Sequence, residues 1–277
     1  MKLGIIGAGN MGGTILKAAI NSSYVNAYET NVYDISQEQI QKLTDMYPVR
    51  VMESAARLVI ESECILLAVK PQFMKGVLDE IQRHAKNKRF ISIAAGWTQA
   101  MLAEGLNAKD SNPQILRVMP NTPALVGAGY TAFCEETTFN SLSLNWAKGL
   151  FSCLGTVQTV SEKLFDAVVA VSGSSPAYVY MFIEAMADSA VKLGMPRKMA
   201  LQAAAQAVFG SAKMVLESTD HVAKLKDDVC SPGGTTIEAV QVLEENGFRG
   251  TVMKAMEACA KKNHAMGLAY ERRQTEK

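Results

Sequence analysis

Leu3-Gly4-Ile5-Ile6-Gly7-Ala8-Gly9-Asn10-Met11-Gly12 joins a short apolar run, begun at Lys2, to the spacing G-x-G-x-x-G. From Met11 to Ile20 apolar residues then recur at helical spacing, so the stretch reads as a strand, a tight glycine turn and a helix. The spacing alone is a weak signal, and its surroundings strengthen it. Asn31-Val32-Tyr33 reads as a second strand that ends at Asp34, an acidic residue roughly twenty positions downstream. In such a unit Gly7 makes the turn, Gly9 lets the backbone approach a pyrophosphate, and Gly12 lets helix and strand pack closely. The helix N-terminus then faces the phosphates. Gly7, Ala8, Gly9, Asn10, Met11 and Gly12 are therefore candidate dinucleotide-binding residues. Asp34 can accept hydrogen bonds from a ribose 2′-hydroxyl and would repel a 2′-phosphate, which favours NAD(H); its alternative is the N-cap of the next helix.

Outward from this unit the same alternation continues. QEQIQKLTDM reads as helix, Val49-Arg50-Val51 as a short strand and ARLVIESE as helix. CILLAVKP is a strand whose nearly continuous apolar run suits a sheet covered on both faces. FMKGVLDEIQRHA (helix), RFISIAAG (strand), MLAEGL (short helix) and QILRVMP (strand) follow. GYTAF and TVQTV are strands, with LSLNWAKGLFSCLG a helix between them. The pattern predicts an α/β fold, a Rossmann-type doubly wound and mostly parallel sheet over residues 1–160. In such sheets ligands bind outside the carboxyl ends of the strands, which adds Ala68, Val69, Lys70, Pro71, Ala95 and Asn121 to the cofactor candidates.

Past Val160 the character changes. FDAVVAVSG, PAYVYMFIEAMADSAVKLG and PRKMALQAAAQAVFGSAKMVLE are helical in composition, each broken by glycine or proline, so residues 161–277 form an all-helical second domain. Its Ala, Gly and Ser content permits close packing, either against another subunit or within one chain.

Composition narrows the function. Among 277 residues 20% are charged, and they balance to a formal +1, which leaves no basic surplus for a nucleic acid. Five scattered cysteines form no C-x-x-C pair and read as reduced, mostly buried thiols, and the three histidines are dispersed on solvated faces, so no metal is expected. MKLGIIGAG runs straight into a strand, and no uncharged stretch suits a bilayer; a soluble, cytoplasmic protein without membrane partners is the expectation.

A Rossmann-type domain followed by helices resembles the 3-hydroxyacid dehydrogenases, which use a lysine on the first long helix of the second domain. Ser172 to Glu184 offers none. The set GAGNMG (7–12), AVKP (68–71), AAG (94–96), MPNTPA (119–124), SGSSPAY (172–178) and LKDDVCSPGGTTIEAVQVLE (225–244) instead resembles the pyrroline-5-carboxylate reductase family, in order and over nearly the whole chain. That resemblance implies hydride transfer from NAD(P)H to the C=N carbon of L-1-pyrroline-5-carboxylate, giving L-proline in the last step of proline biosynthesis. It implies NADP(H), by family habit, or NAD(H), by Asp34, and needs no metal or nucleophile. It also implies a homodimer that assembles into a larger homo-oligomer, up to a decamer, with the helical domain serving dimerisation.

The chemistry requires a carboxylate site and a hydrogen bond to the ring nitrogen, and CSPGGTTIE (230–238) offers both. Ser231, Gly233, Gly234 and Thr235 lie where backbone N–H groups at a helix N-terminus can receive a carboxylate. Thr235 and Glu238 fit the capping box T-x-x-E, with Thr235 as N-cap, which leaves the Thr236 hydroxyl free as the catalytic contact. The family pattern points to the same threonine. Glu162 matches a substrate-side position in the family, with a surface salt bridge as its alternative. Cys230, Tyr178 and Tyr180 read as packing residues. Where some relatives carry a cofactor-contacting asparagine this chain has Asp228, so that role is not carried over.

Overall fold

In the computed structural model, which describes residues 1–275, the first apolar run is strand β1 (Leu3–Ile6) and the glycine turn leads into helix α1 (Asn10–Asn21). Then come β2 (Asn31–Tyr33), α2 (Gln37–Thr44), β3 (Arg50–Val51), α3 (Ala55–Glu61), β4 (Cys64–Leu67) and α4 (Met74–Ile81). β5 (Arg89–Ser92), α5 (Gln99–Gly105), α6 (Ala108–Ser111), β6 (Gln114–Met119), β7 (Gly129–Cys134), α7 (Ser141–Ser152) and β8 (Gly155–Val160) complete the α/β part. The strands form one sheet in the order β3-β2-β1-β4-β5-β6-β7-β8. Neighbours are parallel except β6 and β7.

The continuous apolar runs are explained by two cores. Within β4, Cys64 and Leu66 enter one cluster with Ile5, Ile15, Leu116 and Phe151, while Ile65 and Leu67 enter another with Ile6, Leu58, Leu78 and Phe90. Successive side chains alternate between faces, so a strand covered on both sides is apolar at every position. CILLAVKP and RFISIAAG leave the ladder sooner than their composition suggests, at Leu67 and Ser92. Ala68 to Pro71 and Ala94 to Gly96 are thus loop backbone beyond the strand ends, the first of them turning into a single 3-10 turn at Pro71–Phe73. Helix starts are capped by Ser36, Ser54, Thr98 and Asn140, each accepting from a backbone N–H three residues on. Ser36, not Asp34, caps α2.

After β8 come α8 (Phe165–Val168), a π-helical turn (Val169–Gly173), α9 (Ser175–Lys192), α10 (Arg197–Glu217), α11 (Val222–Val229), α12 (Thr235–Glu245) and α13 (Phe248–Thr275). The chain forms two compact units. The sheet ends at Val160, yet the first unit runs from Met1 to Gly173 and also includes the chain from Cys259 onward. Two contacts account for this extent. Phe165, Val168 and Val169 are buried after the sheet closes, and the second half of α13 returns. There Tyr270 stacks on Trp97 with ring centroids 6.0 Å apart, and Gly267 lies against Gly96, where a Cβ would meet the Gly96 carbonyl at 3.0 Å.

The second unit, Ser174–Ala258, has a small core of its own. Only Ala187, Ala200 and Ala204 are buried, with Ile183, Met186, Ala190 and Val191 packed around them. Large apolar side chains stand exposed on its helices, among them Tyr180, Met181, Phe209, Leu216 and Val242. Among the described residues no helix is long and apolar enough to cross a membrane.

Candidate active site

The glycine turn is shaped by contacts that only glycine permits. Gly7 has φ +102°, and a Cβ there would come within 2.7 Å of the Ala68 carbonyl. Its N–H donates to the Tyr33 carbonyl at 2.9 Å, tying the ends of β1 and β2 together. At Gly12 a Cβ would stand 2.0 Å from the Gly7 oxygen, so α1 approaches the turn at a distance no side chain allows. Gly9 is different: a Cβ there meets nothing within 4 Å. It is the N-cap of α1 and provides no side-chain acceptor, leaving the first-turn N–H groups of a twelve-residue helix without a cap. The Asp34 carboxylate accepts from Ala8 N–H at 2.6 Å and from Ser36 N–H at 2.8 Å.

These features open on a cavity of about 760 Å³. Gly7, Gly9, Asn10, Met11, Asp34, Ala68, Val69, Lys70, Pro71, Ala95 and Asn121 line it; Ala8 and Gly12 are not among its lining residues. The size suits a dinucleotide-binding cleft, and the open flank of Gly9 is a cradle that a side chain would fill. The residues present therefore fit a dinucleotide. Ile35, Ser36, Gln39, Phe73 and Gly173 also line the cavity and escape the sequence reading. Ile35, Ser36 and Gln39 follow Asp34 directly enough to have been found from it. Asn121 is buried, its Nδ2 donating to the Ser172 carbonyl at 3.2 Å and its Oδ1 accepting from Tyr130 N–H at 2.9 Å. Its side chain thereby ties the π-helical turn and the start of β7 to the cavity floor.

In the second unit, CSPGGTT departs from the capping box. Gly233 takes φ +64°, and Gly234 N–H donates to the Ser231 carbonyl at 3.0 Å. The turn therefore closes before the threonines, Gly234 becomes the N-cap of α12, and Thr235 is already helical. Glu238 then lies one position too far along for the box, and no side chain caps the helix. Thr235 is exposed and Thr236 half-buried, and neither hydroxyl has a hydrogen-bond partner among the described residues. On α11, rather than in a turn, Asp228 pairs with Lys224, and Asp227 with Lys226 at 2.6 Å.

Glu162 lies apart from the dinucleotide cavity. Its Oε1 accepts from Gln99 N–H at 2.7 Å and pairs with Arg117 at 3.0 Å. Arg117 is buried and stacks over the Phe165 ring, 4.2 Å from its centroid. Glu136 holds the same segment, accepting from the Ser161 hydroxyl and from Glu162 N–H, both at 2.7 Å. The Ser161 hydroxyl, and after it the Glu162 N–H, hold the Glu136 carboxyl down at about 2. Glu162 and Arg117 line a second cavity of about 440 Å³ with Asp166, Asn263 and His264. Burial pushes the Cys64 and Cys134 thiols up to about 12, which keeps them protonated and inert. Among the described residues no three His, Cys, Asp or Glu side chains are grouped to hold a metal ion.

Comparison with known proteins matches both parts of the chain. A family model described as pyrroline-5-carboxylate reductase dimerisation covers residues 162–266, and one described as NADP oxidoreductase, coenzyme F420-dependent, covers residues 2–96. The pyrroline-5-carboxylate reductase of Escherichia coli (strain K12) is 47% identical over 96% of this chain and 98% of that protein. The Arabidopsis thaliana enzyme of the same name is 37% identical over 96% and 95%. Among solved structures, Plasmodium falciparum pyrroline carboxylate reductase with NADP bound has a TM-score of 0.88 at 35% identity, covering 96% of this chain and 98% of that one.

Proposed function

The chain belongs to the pyrroline-5-carboxylate reductase family, and from that premise we propose that it reduces L-1-pyrroline-5-carboxylate to L-proline with NAD(P)H. The observation that carries the reading is the presence, in one chain, of two anion-ready helix starts. One is the open Gly9 cradle in a cavity of about 760 Å³. The other is the glycine-capped start of α12, with two hydroxyls left unpartnered.

Bound in the cavity, NAD(P)H supplies the hydride. The first-turn N–H groups of α1 would hold its pyrophosphate, and the small residues Ala94 and Ala95 would leave room for its ring beside the backbone. At α12 the N–H groups of Gly233, Thr235 and Thr236 bind the substrate carboxylate, because the Gly234 N–H is already held by Ser231. A protonated imine needs no further activation by a metal or nucleophile. The Thr236 hydroxyl would stay hydrogen-bonded to the ring nitrogen, the atom that takes up the C=N electron pair when the carbon is reduced. Positioning is the protein's main contribution. Glu162 acts through its bonds to Gln99 N–H and Arg117, which hold the start of α5 and β6 in place.

The unit Met1–Gly173, with the chain from Cys259 onward, thus serves the dinucleotide, and Ser174–Ala258 serves the substrate and a second subunit. The match to a dimerisation model over 162–266 supports a homo-oligomer. We take its dimers to assemble further, with a decamer as the expected size, in a reducing cytoplasm that suits five free thiols. The test is kinetic. Oxidation of NADH or NADPH should require pyrroline-5-carboxylate, and L-proline should drive the reverse reaction at high pH; a folded protein that does neither overturns the assignment.

A further inference from the structure

We propose that Asp34 does two jobs, bracing the glycine turn and selecting the dinucleotide that lacks a 2′-phosphate, so that this chain prefers NADH to NADPH. The inference rests on the reading of the cavity as a nicotinamide dinucleotide site. Asp34 follows β2 directly and lines that cavity. Both of its oxygens are engaged from behind, Oδ2 by Ala8 N–H at 2.6 Å and Oδ1 by Ser36 N–H at 2.8 Å. One bond reaches back to the glycine turn and the other forward to the cap of α2, so the carboxylate cannot rotate away from an incoming group. Each oxygen keeps a further lone pair, which a ribose hydroxyl can meet as a donor. A 2′-phosphate brings only negative charge and acceptors to the same place.

The wall beside Asp34 offers that phosphate no positive charge to offset the carboxylate. The neighbours of Asp34 in the cavity are Ile35, Ser36 and Gln39, all uncharged. Among the described residues that line the cavity, Lys70 is the only cation. Lys70 lies past β4, and β1 separates β4 from β2 in the sheet. Two strand spacings amount to roughly 9–10 Å between the backbones, so the one cation of the wall stands across β1 from Asp34.

The two jobs separate by substitution. Asp34→Asn keeps an acceptor for Ala8 N–H and removes the charge, whereas Asp34→Ala removes both. The probes are ADP-ribose and 2′-phospho-ADP-ribose, titrated calorimetrically into the full-length protein; neither carries nicotinamide, so the heat reports binding and no turnover. Wild type should bind ADP-ribose at least about tenfold more tightly. Asp34→Asn should bring the two within about threefold, and Asp34→Ala should weaken both. Equal affinities in wild type, tighter binding of the phosphorylated probe, or a wild-type ratio in Asp34→Asn each overturn the inference. If folded wild type binds neither probe, the dinucleotide reading falls, and this inference with it.

Discussion

Gly9→Ala should leave the folded chain intact and remove most of its dinucleotide affinity, whereas Gly12→Ala should damage both. A methyl on Gly9 meets no atom within 4 Å, and its φ of −67° and ψ of −164° suit alanine. Folding stability should therefore change by less than about 0.5 kcal/mol. The methyl occupies the flank from which a pyrophosphate would approach the first-turn N–H groups of α1. Losing even one such bond to a charged oxygen costs about 1.5–3 kcal/mol, roughly ten- to hundredfold in Kd. At Gly12 the added carbon would lie 2.0 Å from the Gly7 carbonyl oxygen, so α1 must shift by more than an ångström. Overpacking of that kind costs about 1–3 kcal/mol or more and disturbs the same turn. Thermal unfolding and cofactor titration of both variants provide the test. A wild-type Kd in Gly9→Ala would refute the placement of the pyrophosphate, and a Tm several degrees lower in that variant would refute the claim that its flank is open.

Other consequences are as direct. Thr236→Ala should lower turnover about ten- to hundredfold, the loss of one positioned hydrogen bond worth about 1.5–3 kcal/mol; Tm should hold because the hydroxyl has no partner among the described residues, and an unchanged kcat would remove Thr236 from the mechanism. Thr235→Ala should cost α12 well under the roughly 1 kcal/mol of a lost N-cap, since Gly234 occupies that position; a full capping loss on thermal unfolding would reinstate the box. Because the folded Glu136 carboxyl sits at about 2, below its ordinary value of 4.5, its contribution is complete above pH 4.5 and is lost as pH falls toward 2. Tm measured across that window should fall more steeply in wild type than in Glu136→Gln, and parallel curves would contradict the network. Phe209→Glu, on an exposed face of α10, should shift sedimentation toward smaller species; an unaltered assembly would exclude that face from the interface.

Where local chemistry decides structure, the sequence was a sufficient guide. β4 is legible because burial on both faces makes Cys64 to Leu67 apolar at every position, and the turn is legible because Gly7 and Gly12 have contacts no other residue tolerates. T-x-x-E predicts Thr235 as the N-cap of α12, where the structure has Gly234, because the pattern carries no record of the φ of +64° at Gly233, which closes the turn one residue early. The return of α13 to the first unit also went unread. Its signal exists, since Asn263, Gly267 and Tyr270 recur at i, i+4 and i+7, but none of the three is a large aliphatic residue. Asn263 is buried through a bond to Asp166, Gly267 through backbone contact and Tyr270 through stacking.

Assembly and catalysis are linked through the second unit. From Ser174 to Ala258 only three alanines are fully buried, a core too small to hold five helices in water on its own account. α12 has no buried residue at all, and Ile237, Val242 and Leu243 on it are exposed. Helices of that length depend on tertiary packing more than on propensity, so a partner that covers those side chains also fixes the helix start that carries Thr236. Loss of the interface should then lower turnover along with particle size, even when the substituted residue is remote from the substrate. Phe209 lies on α10, outside the α12 start that carries Thr236. If Phe209→Glu produced smaller particles with undiminished kcat, α12 would have to be ordered by its own chain, and the small core of the second unit would need another explanation.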